Sequence, residues 1–177
     1  MRGSCLLSIA IPAAVLVLGC DGTPTAPGGT VIVDRSIANA ASPDRPFDGR
    51  CDTEITLVPP LPGDPTNFLR MHIEYVCQLQ HLGRTTATAE QLVIFTSPTT
   101  QTASNTTIYT AANGDQLFSE WSGTSTSTGP DVAFSGPATF SGGTGRFTNA
   151  SGSAFISGTA SFVSNTGQFT QQGTLRY

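Results

Sequence analysis

GGTGRF, Gly142 to Phe147, is followed by TNASGSAFISG, Thr148 to Gly158. If the glycines cradle a phosphate, the chain is an α/β nucleotide-binding protein; if they only turn it, the fold is all-β. A Walker A loop needs a lysine and a Ser or Thr after its last glycine, and Arg146-Phe147 stand there instead. A dinucleotide fingerprint needs a third glycine opening a helix; counted from Gly143, that place holds Thr148. The residues that follow mix Ser, Thr and Gly with Ala, Phe and Ile, which is strand and turn material, so no helix N-terminus is on offer to an anion. The stretch reads as a bend whose glycines supply positive φ, with Phe147 folded back into the core. A nest of backbone N–H groups assisted by Arg146 is the anion-binding role left to it.

On both sides of this bend, short extended runs alternate with turn signals, and no stretch sustains a 3.6-residue period. The predicted strands are Asp52–Val58, Leu69–Leu82, Thr86–Phe95, Asn105–Ala112, Gln116–Thr124, Val132–Phe140, Ser153–Val163 and Gln168–Arg176. Turn segments such as PLPGDPTN, ANGD and SNTG separate them, and Asn113-Gly114 favours a type I′ hairpin. Ile73, Tyr75, Cys77 and Leu79 share one face, opposite His72, Glu74, Gln78 and Gln80. Val132, Phe134, Ala138 and Phe140 likewise oppose Ser135, Thr139 and Ser141. One apolar and one polar face per strand marks an antiparallel sheet around a single core. The predicted fold is an all-β, eight-stranded antiparallel β-barrel, with a β-sandwich as the alternative.

Composition narrows the setting. Charged residues are 11% of the 177, far below the roughly 25% of an average soluble domain. A net charge of −4 with only eight Lys and Arg excludes nucleic acid as a partner. No His/Cys/Asp/Glu cluster offers three zinc ligands, and there is no G-x-S-x-G and no carboxylate pair for acid–base work. No metal, cofactor or catalytic residue is therefore assigned. At the N-terminus, Arg2 precedes an apolar run, CLLSIAIPAAVLVLG, too short for a comfortable membrane span. Its end, LVLGC, resembles the lipobox of bacterial lipoproteins, in which the cysteine is lipidated. The expected organisation is a signal peptide at 1–19, a flexible tether at 20–49 and a barrel domain at 50–177. The lipid on Cys20 would anchor the protein in a bacterial cell envelope, facing the periplasm or exterior.

With Cys5 removed in the signal and Cys20 acylated, Cys51 and Cys77 remain, and an oxidising compartment suggests one structural disulfide. The segment between them, VPPLPGDPTN, is turn-rich, and a hairpin folded about Asp64 sets both cysteines thirteen residues from its centre. They would then face each other across an antiparallel ladder, within disulfide reach.

GGTGRFTNASGSA (Gly142–Ala154) resembles the G-G-T-G-x-F-x-x-A-x-G segment of plant dirigent proteins and their relatives in the allene oxide cyclase barrel-like superfamily. HLGRTT (His81–Thr86) and TAANGDQL (Thr110–Leu117) are similar to segments of bacterial secreted proteins that carry the same glycine motif. The resemblance implies an eight-stranded barrel with a central cavity, often in trimers, in which the glycine motif is a barrel-end turn. The cavity Asp, Glu, Tyr and Arg residues of those families find no match here, so no activity transfers.

Tyr75 lies on the inward parity, where Tyr109 and Trp121 could join it in lining a cavity. His81 closes the apolar parity of its strand beside Arg84. With Arg146, Tyr75, His81 and Arg84 are the candidates for cavity or anion contacts. The leading functional expectation is non-enzymatic: a small apolar ligand in the barrel, or an interaction module of the envelope. The alternative is an isomerase or cyclase of the allene oxide cyclase type, which a carboxylate or histidine buried in the cavity would favour. An adhesin-like domain would instead display Trp121 in an exposed aromatic patch.

Overall fold

The computed structural model describes residues 42–177. Eight strands follow one another: β1 (Arg45–Val58), β2 (Phe68–Leu79), β3 (Gly83–Phe95), β4 (Thr100–Thr110), β5 (Gln116–Thr128), β6 (Asp131–Gly143), β7 (Ser151–Ser161) and β8 (Thr166–Arg176). Each pairs antiparallel with the next, and β1 also pairs with β8, so the sheet closes into one up-and-down barrel. Closure leaves no edge whose backbone groups lack partners. A single continuous sheet also corrects the sandwich alternative, which needs two stacked sheets.

Several boundaries differ from the sequence reading, each for a local reason. β1 opens at Arg45, inside the stretch expected to be tether, and Phe47 within it is wholly buried. Residues 45–49 thus belong to the barrel and not to the tether. β2 stops at Leu79, and His81 takes a left-handed φ of 68° in the turn to β3. β4 opens at Thr100, five residues before Asn105. The turn at Asn113-Gly114 is not type I′, because Gly114 has a φ of 87° while Asn113 is not among the positive-φ residues. Instead the Asn113 side-chain oxygen accepts from the Asp115 N–H at 3.2 Å, and its amide donates to the Asp115 carboxylate at 2.8 Å. The signal segment, Cys20 and the tether up to residue 41 lie outside the described residues.

Register follows the cysteines. Cys51 stands directly opposite Cys77 in the β1–β2 ladder, with Cα atoms 4.0 Å apart, and the two form a disulfide. Asp64, at the centre of the hairpin, holds its loop together. Its carboxylate accepts from Arg70 at 3.2 and 3.3 Å and from the Leu61 N–H at 2.8 Å. The Arg70 guanidinium, then that N–H, hold the carboxyl below the usual carboxylate range.

The two ends of the barrel are unlike. One, where β1, β3, β5 and β7 begin, is plugged by Phe47, Leu117, Phe147 and Leu175, all at 0% exposure. Ring contacts knit the plug: Phe47 meets Phe140 edge-on at 4.9 Å, and Phe147 packs against Tyr177 at 5.0 Å. Each such side chain contributes roughly 1.5–3 kcal/mol of hydrophobic stabilisation. The other end is hollow.

Candidate functional site: the barrel cavity

The hollow half encloses a cavity of about 80 Å³, lined from all eight strands and lying toward the end where β2, β4, β6 and β8 begin. Tyr75, Tyr109, Ser119 and Trp121 lie deepest, and Leu69, Phe95, Val132 and Phe162 stand nearest the mouth. The inward parity of each strand puts them there, since alternate residues of a barrel strand face its interior. Among the described residues, the lining holds no carboxylate, imidazole or guanidinium. On the loops and strand ends of that side, Leu57, Leu61 and Val163 are exposed, at 51–78%.

Tyr75 faces the cavity and is buried. Burial drives its phenol well above the ordinary value; Tyr109 beside it adds to the rise, and a hydrogen bond with Thr107 opposes it. Burial raises the Tyr109 phenol in the same way. Both rings are therefore neutral hydrogen-bonding groups at any physiological pH, neither base nor nucleophile. Trp121 is 6% exposed, donates its indole N–H to the Gly136 carbonyl at 3.2 Å and stacks edge-on against Phe134. This inward place corrects the adhesin reading, which needed it on the surface.

Sequence reasoning missed the polar part of the lining. Thr107 donates to the Asn105 side-chain oxygen at 3.1 Å, and the Asn105 amide donates to Gln91 at 3.1 Å. Nearer the mouth, Ser125 donates to Gln101 at 2.9 Å, and the Gln101 amide donates to Ser127 at 2.8 Å. Counting by twos from Tyr109 reaches Thr107, Asn105 and Gln101 along β4, which is the signal that finds them. Gln171, beneath the cavity floor, is 2% exposed with neither amide atom in a formed hydrogen bond. The Tyr109 hydroxyl lies near enough to feel that amide, without the geometry of a bond.

The other candidates lie at the plugged end. His81 Nε2 meets the Pro46 carbonyl at 2.9 Å, and Arg84 is exposed on the outward face of β3. Arg146 donates to the His81 carbonyl at 2.6 Å, lies 3.8 Å from the Asp115 carboxylate, and stacks 4.7 Å over Phe147. The Arg146 N–H also points at Asp115, at 3.4 Å, beside Gly145, whose φ is 55°. The nest therefore has an anion, and it is the chain's own Asp115. GGTGRF, HLGRTT and TAANGDQL converge here through Arg146 and through Thr144, whose N–H and hydroxyl bond the backbone of Gln116. The three motifs build the barrel's closed end, remote from the cavity mouth.

Fold and site together define an up-and-down β-barrel with one uncharged cavity. The solved structure of the pterocarpan synthase dirigent protein superimposes with a TM-score of 0.45 at 13% identity, covering 79% of this chain and 95% of that one. No protein-family profile and no curated protein matches the sequence.

Proposed function

We propose that the chain is a lipid-anchored protein of the bacterial envelope whose barrel binds a small, uncharged, largely apolar molecule without transforming it. The observation that carries this reading is the cavity: an apolar and neutral polar lining, with Leu57, Leu61 and Val163 exposed on that side. At about 80 Å³, well under the roughly 300–1,000 Å³ of drug-sized sites, it admits a slender molecule that reaches out through the mouth. An isomerase or cyclase that abstracts a proton would need a base at the reacting atoms, and among the described residues the titratable side chains of the lining are the two tyrosines, both held protonated and so able to donate but not to act as bases. The envelope setting is supported by LVLGC and by the buried Cys51–Cys77 disulfide, a bond kept in oxidising compartments.

Trp121 is the one tryptophan in the chain and lines the cavity, so its fluorescence reports on the cavity without interference from another indole. Titration with 1-hexanol is expected to shift the emission saturably, and Ala103→Phe, which fills the cavity from β4, is expected to abolish the response while circular dichroism stays unchanged. A saturable response that survives Ala103→Phe places binding elsewhere and sinks the reading. For the anchor, globomycin is expected to accumulate an unprocessed precursor; unaltered processing refutes lipidation of Cys20.

A further inference from the structure

Resting on that binding reading, we infer that the cavity selects neutral molecules carrying an acceptor oxygen, a hydroxyl, ether or carbonyl, on one edge and hydrocarbon on the other. The two walls differ in kind. β6, β7, β8 and the turn between the last two line the cavity with Val132, Phe134, Ile156, Ala160, Phe162 and Phe169, and with nothing polar. β4 and β5, the latter paired with β6, bring Gln101, Asn105, Thr107, Ser119, Ser125 and Ser127, with Ala103, Tyr109 and Trp121 among them. Such segregation is not what a merely filled barrel requires, since inward polar groups cost stability unless bonded.

The polar wall is organised to donate. Its two hydrogen-bonded chains run from Thr107 through Asn105 to Gln91, and from Ser125 through Gln101 to Ser127. Every bond within them is donated toward Gln91 in one chain and toward Ser127 in the other. These two chains leave the Gln91 amide nitrogen and the Ser127 hydroxyl hydrogen as donors, and the hydroxyls of Thr53 and Ser119 also line the cavity. The two chain ends stand at two depths: Gln101 and Asn105, four positions apart on β4, set the two chains roughly 13 Å apart along the strand. An acceptor oxygen meets a donor at either level while the opposite edge of the molecule lies against Phe134, Phe169 and Ile156. Ions are disfavoured because no opposite charge lines the cavity to replace lost water.

The barrel closes on itself, so the chain from Asp21 onward serves for the test. Hexane, 1-hexanol, hexanoate and hexylammonium are titrated in turn against Trp121 emission. Hexanol is expected to bind at least as tightly as hexane, and both ions at least tenfold more weakly than hexanol. An all-apolar cavity would prefer hexane on the order of tenfold or more, because the hydroxyl would be buried without a partner. Gln91→Leu and Ser127→Ala are each expected to weaken hexanol at least threefold while hexane holds or gains. Ser127→Ala, at the rim, keeps the comparison available where Gln91→Leu disturbs folding. Hexane preferred over hexanol, or ions bound as well as hexanol, overturns the two-walled selection while leaving binding intact. No response to any of the four overturns the binding reading as well.

Discussion

Gly145→Ala tests whether Asp115 is the anion of the glycine bend. At a φ of 55°, an alanine costs about 1–2 kcal/mol in left-handed strain. Its Cβ would also run into Asp115 Oδ1, so the carboxylate must leave the Arg146 N–H and guanidinium. That carboxylate is 24% exposed, which holds the loss to about 1 kcal/mol. The expected destabilisation is about 2–3 kcal/mol. Gly83→Ala is the reference, because Gly83 has a φ of 73° with nothing within 4 Å of the added carbon. It should show the backbone cost alone. In an Asp115→Ala background, Gly145→Ala should fall to that reference, a coupling of about 1 kcal/mol in a double-mutant cycle read from urea melts. If the cost of Gly145→Ala is the same in both backgrounds to within about 0.3 kcal/mol, the carboxylate is not held by the bend and the reasoning fails.

Two further outcomes follow from the interior. Reducing Cys51–Cys77, whose partners are 26 residues apart, should cost about 3.5 kcal/mol of loop entropy and lower Tm by roughly 10 °C; a change under about 2 °C would contradict it. Gln171→Met replaces an unpaired buried amide with a side chain of similar length and should raise stability by about 1 kcal/mol. A loss of stability in thermal melts would mean that the amide is satisfied in the native barrel.

The strands whose inward residues are apolar were plain in the sequence. β2 alternates Ile73, Tyr75, Cys77 and Leu79, all buried, and the hairpin centre at Asp64 placed the cysteines opposite each other. β4 was half lost because its inward parity reads Gln101, Ala103, Asn105, Thr107. Polar residues on both faces erase the alternation by which a strand is recognised. Periodicity therefore failed at the polar wall of the cavity, the part of the molecule with most to say about its ligand. The start of β1 was hidden differently: Pro46 and the run of Asp, Arg and Gly around it look like linker, yet Phe47 fills the plug. Arg146 and Asp115 lie 31 residues apart, and no local pattern joins them. Only closure of the barrel end does.

The order of the strands has a temporal side. Seven of the eight pairings join strands adjacent in the chain, and the eighth sets Arg45 against Leu175 and Glu54 against Thr166. A chain made from its N-terminus thus exposes the free side of β1 until β8 has been made, and each hairpin formed earlier is a reversible local event. The locking step is long in sequence and therefore slow. Until that step the thiols of Cys51 and Cys77 meet only within the β1–β2 hairpin, so their bond can form before the barrel closes.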